Sequence, residues 1–157
     1  MKLFIVRHGA AEASAAGGDT ARELTEEGMR VCRKVASALK GKIKVDSIFS
    51  SPLIRARQTA EIFSAQLGLA LKVGISGELS PGSAVSDTIR ELCSLGNENI
   101  MIVGHNPHLS DLTAALVSNG SLRFDMKKAA VLCIGFSGSV SPGSGDLRWV
   151  AVPKLLL

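Results

Sequence analysis

The chain has 157 residues, 46% of them hydrophobic and 20% charged, enough to bury about two-thirds of its unfolded surface in one core without disulfides or a structural metal. Its net charge is +4 and its pI about 9.2, yet the densest basic stretch, Arg30 to Lys44, carries no aromatic residue and the chain has no tyrosine, which argues against a base-stacking platform for nucleic acid. The longest apolar runs, Leu3–Val6 and Ala129–Ile134, fall far short of the roughly 18 residues a membrane span requires, and Arg7 and His8 interrupt the first before it reaches signal-peptide length.

In chain order, Lys2–Val6 reads as a buried strand ending at Arg7, His8 and Gly9. Residues 10–23, rich in Ala, Gly and Ser without a period, read as an irregular surface segment. Thr25 is placed to cap a helix with Val31, Cys32, Val35, Ala36 and Leu39 on one face, ending at Gly41. Val45–Phe49 is the next expected strand. Ser51 and Pro52 form a cap-plus-proline start for a helix that runs through Ala56, Ala60, Phe63 and Leu67 to Gly68. A strand over Leu71–Ile75 and a helix carrying Val85, Ile89, Leu92 and Cys93, stopped by Gly96, come next. Ile100–Val103 is a continuous apolar strand, and Asn106 with Pro107 repeats the cap-plus-proline device before Leu109, Leu112 and Leu116. Val131–Phe136 and Leu147–Val152, around the Gly/Ser/Pro-rich turn from Ser137 to Gly145, suggest a closing edge hairpin. Alternating strands and helices imply a single domain over residues 1–157, an α/β three-layer α/β/α sandwich on a mostly parallel sheet. Cys32, Cys93 and Cys133, odd in number and far apart, read as small buried residues of a cytoplasmic protein.

Ligands of open α/β sheets bind beyond the carboxyl ends of the strands. Three polar groups fall there: Arg7-His8-Gly9, the Ser50-Ser51-Pro52 turn leading to Arg55, and Gly104-His105-Asn106-Pro107. Arg55 and His105 both flank expected helix N-termini, whose free N–H groups favour anions. Two arginine forks match phosphoryl oxygens, and two histidines supply donors or a nucleophile. No cluster of Asp and Glu offers magnesium a site, so metal-free phosphoryl chemistry without a cofactor is expected. His108 reads as an ordinary structural histidine that caps its helix or faces solvent.

Through Val6-Arg7-His8-Gly9, Ser51-Pro52-Leu53-Ile54-Arg55-Ala56 and Val103-Gly104-His105-Asn106-Pro107 the sequence resembles the histidine phosphatase superfamily, in its phosphoglycerate-mutase-like branch. Asp19, Arg22, Leu24, Thr25 and Gly28 after the first motif, and Gln58-Thr59-Ala60-Glu61 after Arg55, extend the match over most of residues 1–120. The short chain without a long insertion is most similar to the SixA-type phosphohistidine phosphatases. The resemblance implies a phosphoglycerate-mutase-like fold with His8 as the nucleophile. It further implies that Arg7 and Arg55 clamp the phosphoryl oxygens, that His105 donates to them as charge builds, and that a phosphohistidine intermediate is hydrolysed by water.

Larger members of the family place a catalytic carboxylate in an extended loop, whereas this chain offers only Glu78, in a short loop, as a general-acid candidate. Gly9, Asn106 and Arg22 are candidate substrate contacts, Asn106 being also a helix cap and Arg22 equally a salt-bridging surface group. An imidazole leaving group, of pKa about 6.5, departs with less help than an alkoxide, so a weak acid favours a phosphohistidine on a partner such as a histidine phosphotransfer domain. A small-molecule phosphomonoesterase and a non-catalytic phosphate- or phosphoprotein-binding module remain open.

Overall fold

In the computed structural model, which describes residues 1–70, 72–96 and 99–156, the amino-terminal apolar run forms β1, Lys2–Arg7. Alternation along β1 sets the layers: Phe4 and Val6 point into one core, Leu3 and Ile5 into another. A strand apolar on both faces must be covered on both. Helices α1, Glu26–Leu39, and α2, Ile54–Leu67, cover the first face with Cys32, Val35, Ala36, Ala56, Ala60 and Phe63. Helices α3, Val85–Ser94, and α4, His108–Ser118, cover the second with Ile89, Leu92, Leu109, Leu112 and Leu116. The three-layer α/β/α sandwich is therefore the fold observed.

Between the layers, β1 is joined by β2 (Ser47–Ser50), β3 (Gly74–Ile75), β4 (Ile100–Gly104), β5 (Val131–Gly135) and β6 (Asp146–Ala151). The sheet order is β3-β2-β4-β1-β5-β6, parallel from β3 to β1, with β5 and β6 as the antiparallel edge hairpin. A short α5, Pro153–Leu156, ends the described chain. Among the described residues no helix is long and apolar enough to cross a membrane.

Local signals held where the group involved acts locally. The Thr25 side chain accepts from the Gly28 N–H at the start of α1, and Gly68 closes α2 in the left-handed conformation. Both expected cap-plus-proline starts are displaced. Helix α2 begins at Ile54, beyond Ser51 and Pro52, with Leu53 in the cap position, and α4 begins at His108, after Asn106 and Pro107. The Ser51 hydroxyl and the Asn106 amide are engaged elsewhere, as described below. Only Gly74 and Ile75 of the expected third strand pair with β2, and Leu71 lies outside the described residues. Cys32 and Cys133 are buried but Cys93 is exposed, because it falls one position past Leu92 and turns off the inner stripe of α3.

Candidate active site

Parallel pairing of β1 with β4 sets Arg7 opposite Gly104, so the residues that follow, His8 and His105, leave the sheet side by side. Their rings lie 4.9 Å apart between centroids, and both are buried. The pairing is closed by the His8 N–H, which donates to the Gly104 carbonyl at 3.1 Å. Next to β4, β2 ends at Ser50 opposite Val103 and delivers Ser51, whose Oγ lies 2.9 Å from His105 Nε2.

His8 Nδ1 sits 2.7 Å from the carbonyl oxygen of Gly9. A carbonyl only accepts, so Nδ1 carries the proton and the Nε2 lone pair is free. Gly9 is in turn held by its own N–H, which donates to Thr59 Oγ1 at 3.1 Å, while the Thr59 hydroxyl donates to the Arg55 carbonyl at 2.8 Å. Gly9 packs closely on α1: a Cβ there would stand 2.6 Å from the buried Cys32 Sγ and 3.2 Å from the Gly28 carbonyl, so a larger residue would have to displace its neighbours.

Arg55 is buried in the first turn of α2, and its Nη1 and Nη2 donate to the backbone carbonyl and the carboxylate of Asp19 at 2.7 and 3.0 Å. Arg22 grips the other Asp19 oxygen at 2.8 Å. These two guanidinium partners, Arg55 foremost, hold the Asp19 carboxyl below its usual range. Arg7 Nη1 donates to the Met126 carbonyl at 2.7 Å, and the Asn106 amide donates to the same oxygen at 3.2 Å. Four buried polar atoms of this group have no partner: Arg7 Nε, Arg55 Nε, His105 Nδ1 and Asn106 Oδ1. The two arginine Nε–H groups, and His105 Nδ1 where it bears the proton, are unmatched buried donors, which are costly in a resting protein and are explained when a ligand supplies the acceptors; the Asn106 oxygen is an acceptor and is not met by an anion.

Burial pushes His8 down to about 4, opposed by the Gly9 carbonyl and assisted by the charges of Arg55, Arg7 and Lys128. Burial likewise pushes His105 down to about 3, with His8 and Arg55 adding to the shift. Both rings are neutral at pH 7. The site thus combines an imidazole lone pair, buried N–H donors and fixed positive charge, suited to a phosphoryl group. Among the described residues no group of three or more His, Cys, Asp and Glu is placed to hold a metal ion.

Of the expected site residues, His8, Arg7, Gly9, His105 and Asn106 lie at adjoining strand ends, with Arg55 joined through Thr59 and Asp19. Arg22 enters only through Asp19, as a salt-bridging residue. Glu78 sits in a one-turn 3-10 segment, Gly77–Leu79, and its charge acts on His108. His108 neither caps α4 nor faces solvent: it is buried, with Nε2 2.9 Å from Thr88 Oγ1. The sequence reading passed over Thr59, Asp19, Lys128 and the Met126 carbonyl as parts of the site. Thr59 had a usable signal, lying one helical turn beyond Arg55 on the same face.

A family model described as histidine phosphatase superfamily (branch 1) matches residues 3–80. The chain is 35% identical to phosphohistidine phosphatase SixA of Escherichia coli (strain K12) over 98% of its own length and 94% of that protein's. A solved structure of the protein histidine phosphatase SixA complexed with tungstate superposes with a TM-score of 0.90 at 30% identity, covering both chains completely. The alpha-ribazole phosphatase of Shigella flexneri gives a TM-score of 0.79 at 20% identity, covering 98% of this chain and 97% of that one, a likeness of fold.

Proposed function

The chain belongs to branch 1 of the histidine phosphatase superfamily, has its phosphoglycerate-mutase-like fold and is a phosphatase; from that premise we propose that it removes the phosphoryl group from a phosphohistidine on a partner protein, through a phosphohistidine formed on its own His8 and without a metal ion. The observation that carries this reading is His8 itself, a neutral ring whose Nδ1 proton is held by the Gly9 carbonyl. Its Nε2 attacks phosphorus as the bond to the leaving nitrogen breaks. A phosphoimidazole protonated on its second nitrogen leaves as neutral imidazole. Water then attacks the phosphorus of phospho-His8, the P–N bond breaks, Nε2 recovers its lone pair and inorganic phosphate departs.

Arg7, Arg55 and His105 serve this chemistry as donors to the phosphoryl oxygens, supported by their unpartnered Nε, Nε and Nδ1 atoms. Gly9 lets the backbone carry the proton-holding carbonyl, and Asn106 anchors the Met126 carbonyl that positions Arg7. Arg22 steadies Asp19 behind Arg55. Glu78, whose charge acts on His108, is not required when the leaving group is imidazole. That supports phosphoramidates over alkyl phosphates as the substrate class. The identity and whole-length coverage shared with the E. coli phosphohistidine phosphatase support the same class.

The test compares kcat/KM for a phosphohistidine-bearing phosphotransfer protein, phosphoramidate and several phosphomonoesters, with and without EDTA. Phosphohistidine is expected to rank first, with chelator leaving the rates unchanged and Glu78→Gln sparing phosphohistidine while slowing alkyl esters. A base-stable quench should trap label on wild-type His8 and none on His8→Ala. A phosphomonoester ranked first, or a large loss on phosphohistidine in Glu78→Gln, would turn the assignment to a small-molecule phosphomonoesterase. Activity lost in EDTA and restored by magnesium would overturn the metal-free reading.

A further inference from the structure

The two histidines of the site carry one proton each, and different groups stand behind them. Behind His8 is a carbonyl, which can only accept. Behind His105 is the Ser51 hydroxyl, 2.9 Å from Nε2, which can donate or accept. Which it does decides what His105 presents to the site, because its other nitrogen, Nδ1, is buried without a partner on a ring whose centroid lies 4.9 Å from that of His8.

Suppose first that His105 Nε2–H donates to Ser51. The Ser51 hydroxyl hydrogen then has no acceptor in a residue with 0% exposure, and Nδ1 turns a lone pair toward a site built for an anion. Both consequences are unfavourable. Suppose instead that the Ser51 hydroxyl donates to Nε2. Its oxygen still accepts the Leu53 N–H at 3.3 Å, Nε2 is satisfied, and Nδ1 bears a proton whose only remaining use is a bound ligand. The second arrangement leaves one free donor, His105 Nδ1–H, and no other unmet group on either His105 or Ser51.

The position of Ser51 is firmly set. Its N–H donates to the Val103 carbonyl at 3.0 Å, tying it to the strand that carries His105 two residues later. Its carbonyl accepts from Ser50 Oγ at 2.8 Å. The hydroxyl is thus held by backbone bonds on a rigid strand end, the arrangement that fixes a ring orientation best.

We propose that Ser51 is a positioning residue for the phosphoryl-transfer step: its hydroxyl donates to His105 Nε2, locks the ring with its proton on Nδ1, and makes His105 a fixed hydrogen-bond donor to the phosphoryl oxygens. Both histidines then share one tautomer and show opposite edges to the substrate, the bare Nε2 of His8 and the Nδ1–H of His105. The inference rests on the proposed phosphatase site for its consequence in rate, while the tautomer itself does not depend on any activity.

The test is a nitrogen NMR measurement on histidine-labelled protein at pH 7, with kcat and KM for phosphoramidate measured alongside. Wild-type His105 is expected as the neutral Nδ1–H form. Ser51→Ala is expected to release the ring toward the Nε2–H form, to lower kcat by about ten- to a hundredfold with less change in KM, and to weaken binding of inorganic phosphate. Ser51→Thr, which keeps the hydroxyl, is expected to restore both tautomer and rate. A wild-type His105 protonated on Nε2 overturns the proposal even if neither variant folds. So does a Ser51→Ala protein whose kcat falls while His105 stays in the Nδ1–H form, since the residue is then merely structural. A wild-type protein with the expected tautomer that hydrolyses no phosphoryl substrate supports the role of Ser51 in fixing the ring and overturns the functional reading alone.

Discussion

His8 and His105 are held neutral chiefly by burial, at about 4 and about 3 against an ordinary value near 6.5. Because the unfolded chain binds protons that the folded rings refuse, both contribute stability that is fully present above about pH 6.5 and is lost as the pH falls through the folded values. Urea denaturation between pH 8 and 4 should therefore show a midpoint flat above 6.5 and falling below it, with a shallower fall in His105→Gln. The same shifts keep the His8 lone pair available in mild acid, so the acid limb of kcat/KM that belongs to His8 is expected near pH 4 rather than 6.5. Arg55 makes a different case. Both of its Nη atoms are bonded to Asp19 while Nε has no partner, so its planar fork has a use on each side. Lysine cannot reproduce that geometry, and Arg55→Lys should lower kcat/KM by about 2–4 kcal/mol of transition-state stabilisation, comparable to one lost oxyanion donor. A rate within a few-fold of wild type would place Arg55 outside the pocket.

Helix α1 meets the nucleophile loop at Gly28, where an added Cβ would run into the Ala10 carbonyl. That oxygen also accepts the Thr25 N–H at 3.0 Å, so the start of the helix is seated on the carbonyl of Ala10, the residue next after Gly9. Alanine favours a helix over glycine by about 1 kcal/mol, but the clash is with backbone and cannot relax by a rotamer change. Gly28→Ala should therefore destabilise by roughly 1–3 kcal/mol and lower kcat by displacing Gly9, readable in denaturation and steady-state rates; a stabilised variant would show that the loop yields. The cap of α1 was legible in the sequence because Thr25 bonds three residues ahead. Ser51 and Asn106 carry equally good cap signals, yet the Ser51 hydroxyl bonds His105, 54 residues away, and the Asn106 amide bonds Met126, 20 residues away. A tertiary partner takes the Asn106 amide altogether, while the Ser51 hydroxyl is shared between His105 and the Leu53 N–H, which it still accepts at 3.3 Å. The motif residues His8, Arg7, Arg55 and His105 could be read because strand ends of an α/β sheet share one rim. Thr59 shows its local bond to the Arg55 carbonyl one helical turn away, but its link to Gly9, that of Asp19 to Arg55 and that of the Met126 carbonyl to Arg7 span 50, 36 and 119 residues, which no short window reveals.

Across the whole molecule, β1 is hydrogen-bonded on both sides, to β4 and to β5, and β4 is likewise enclosed by β1 and β2. The histidines thus hang from the two central strands, whose residues 3–6 and 100–103 are all buried. The hairpin strand β6, in contrast, lies at the sheet edge with Leu147 and Val150 exposed. Such a sheet opens from its rim inward. In deuterium oxide, amides of β6 should exchange through local fraying, whereas those of residues 3–6 and 100–103 should wait for global unfolding. The spacing between His8 and His105 then has no low-energy distorted state of its own: under denaturant, catalytic competence should vanish in step with these slowest amides, and a partly opened chain that has shed only β6, with β5 still paired to β1, should still turn over substrate.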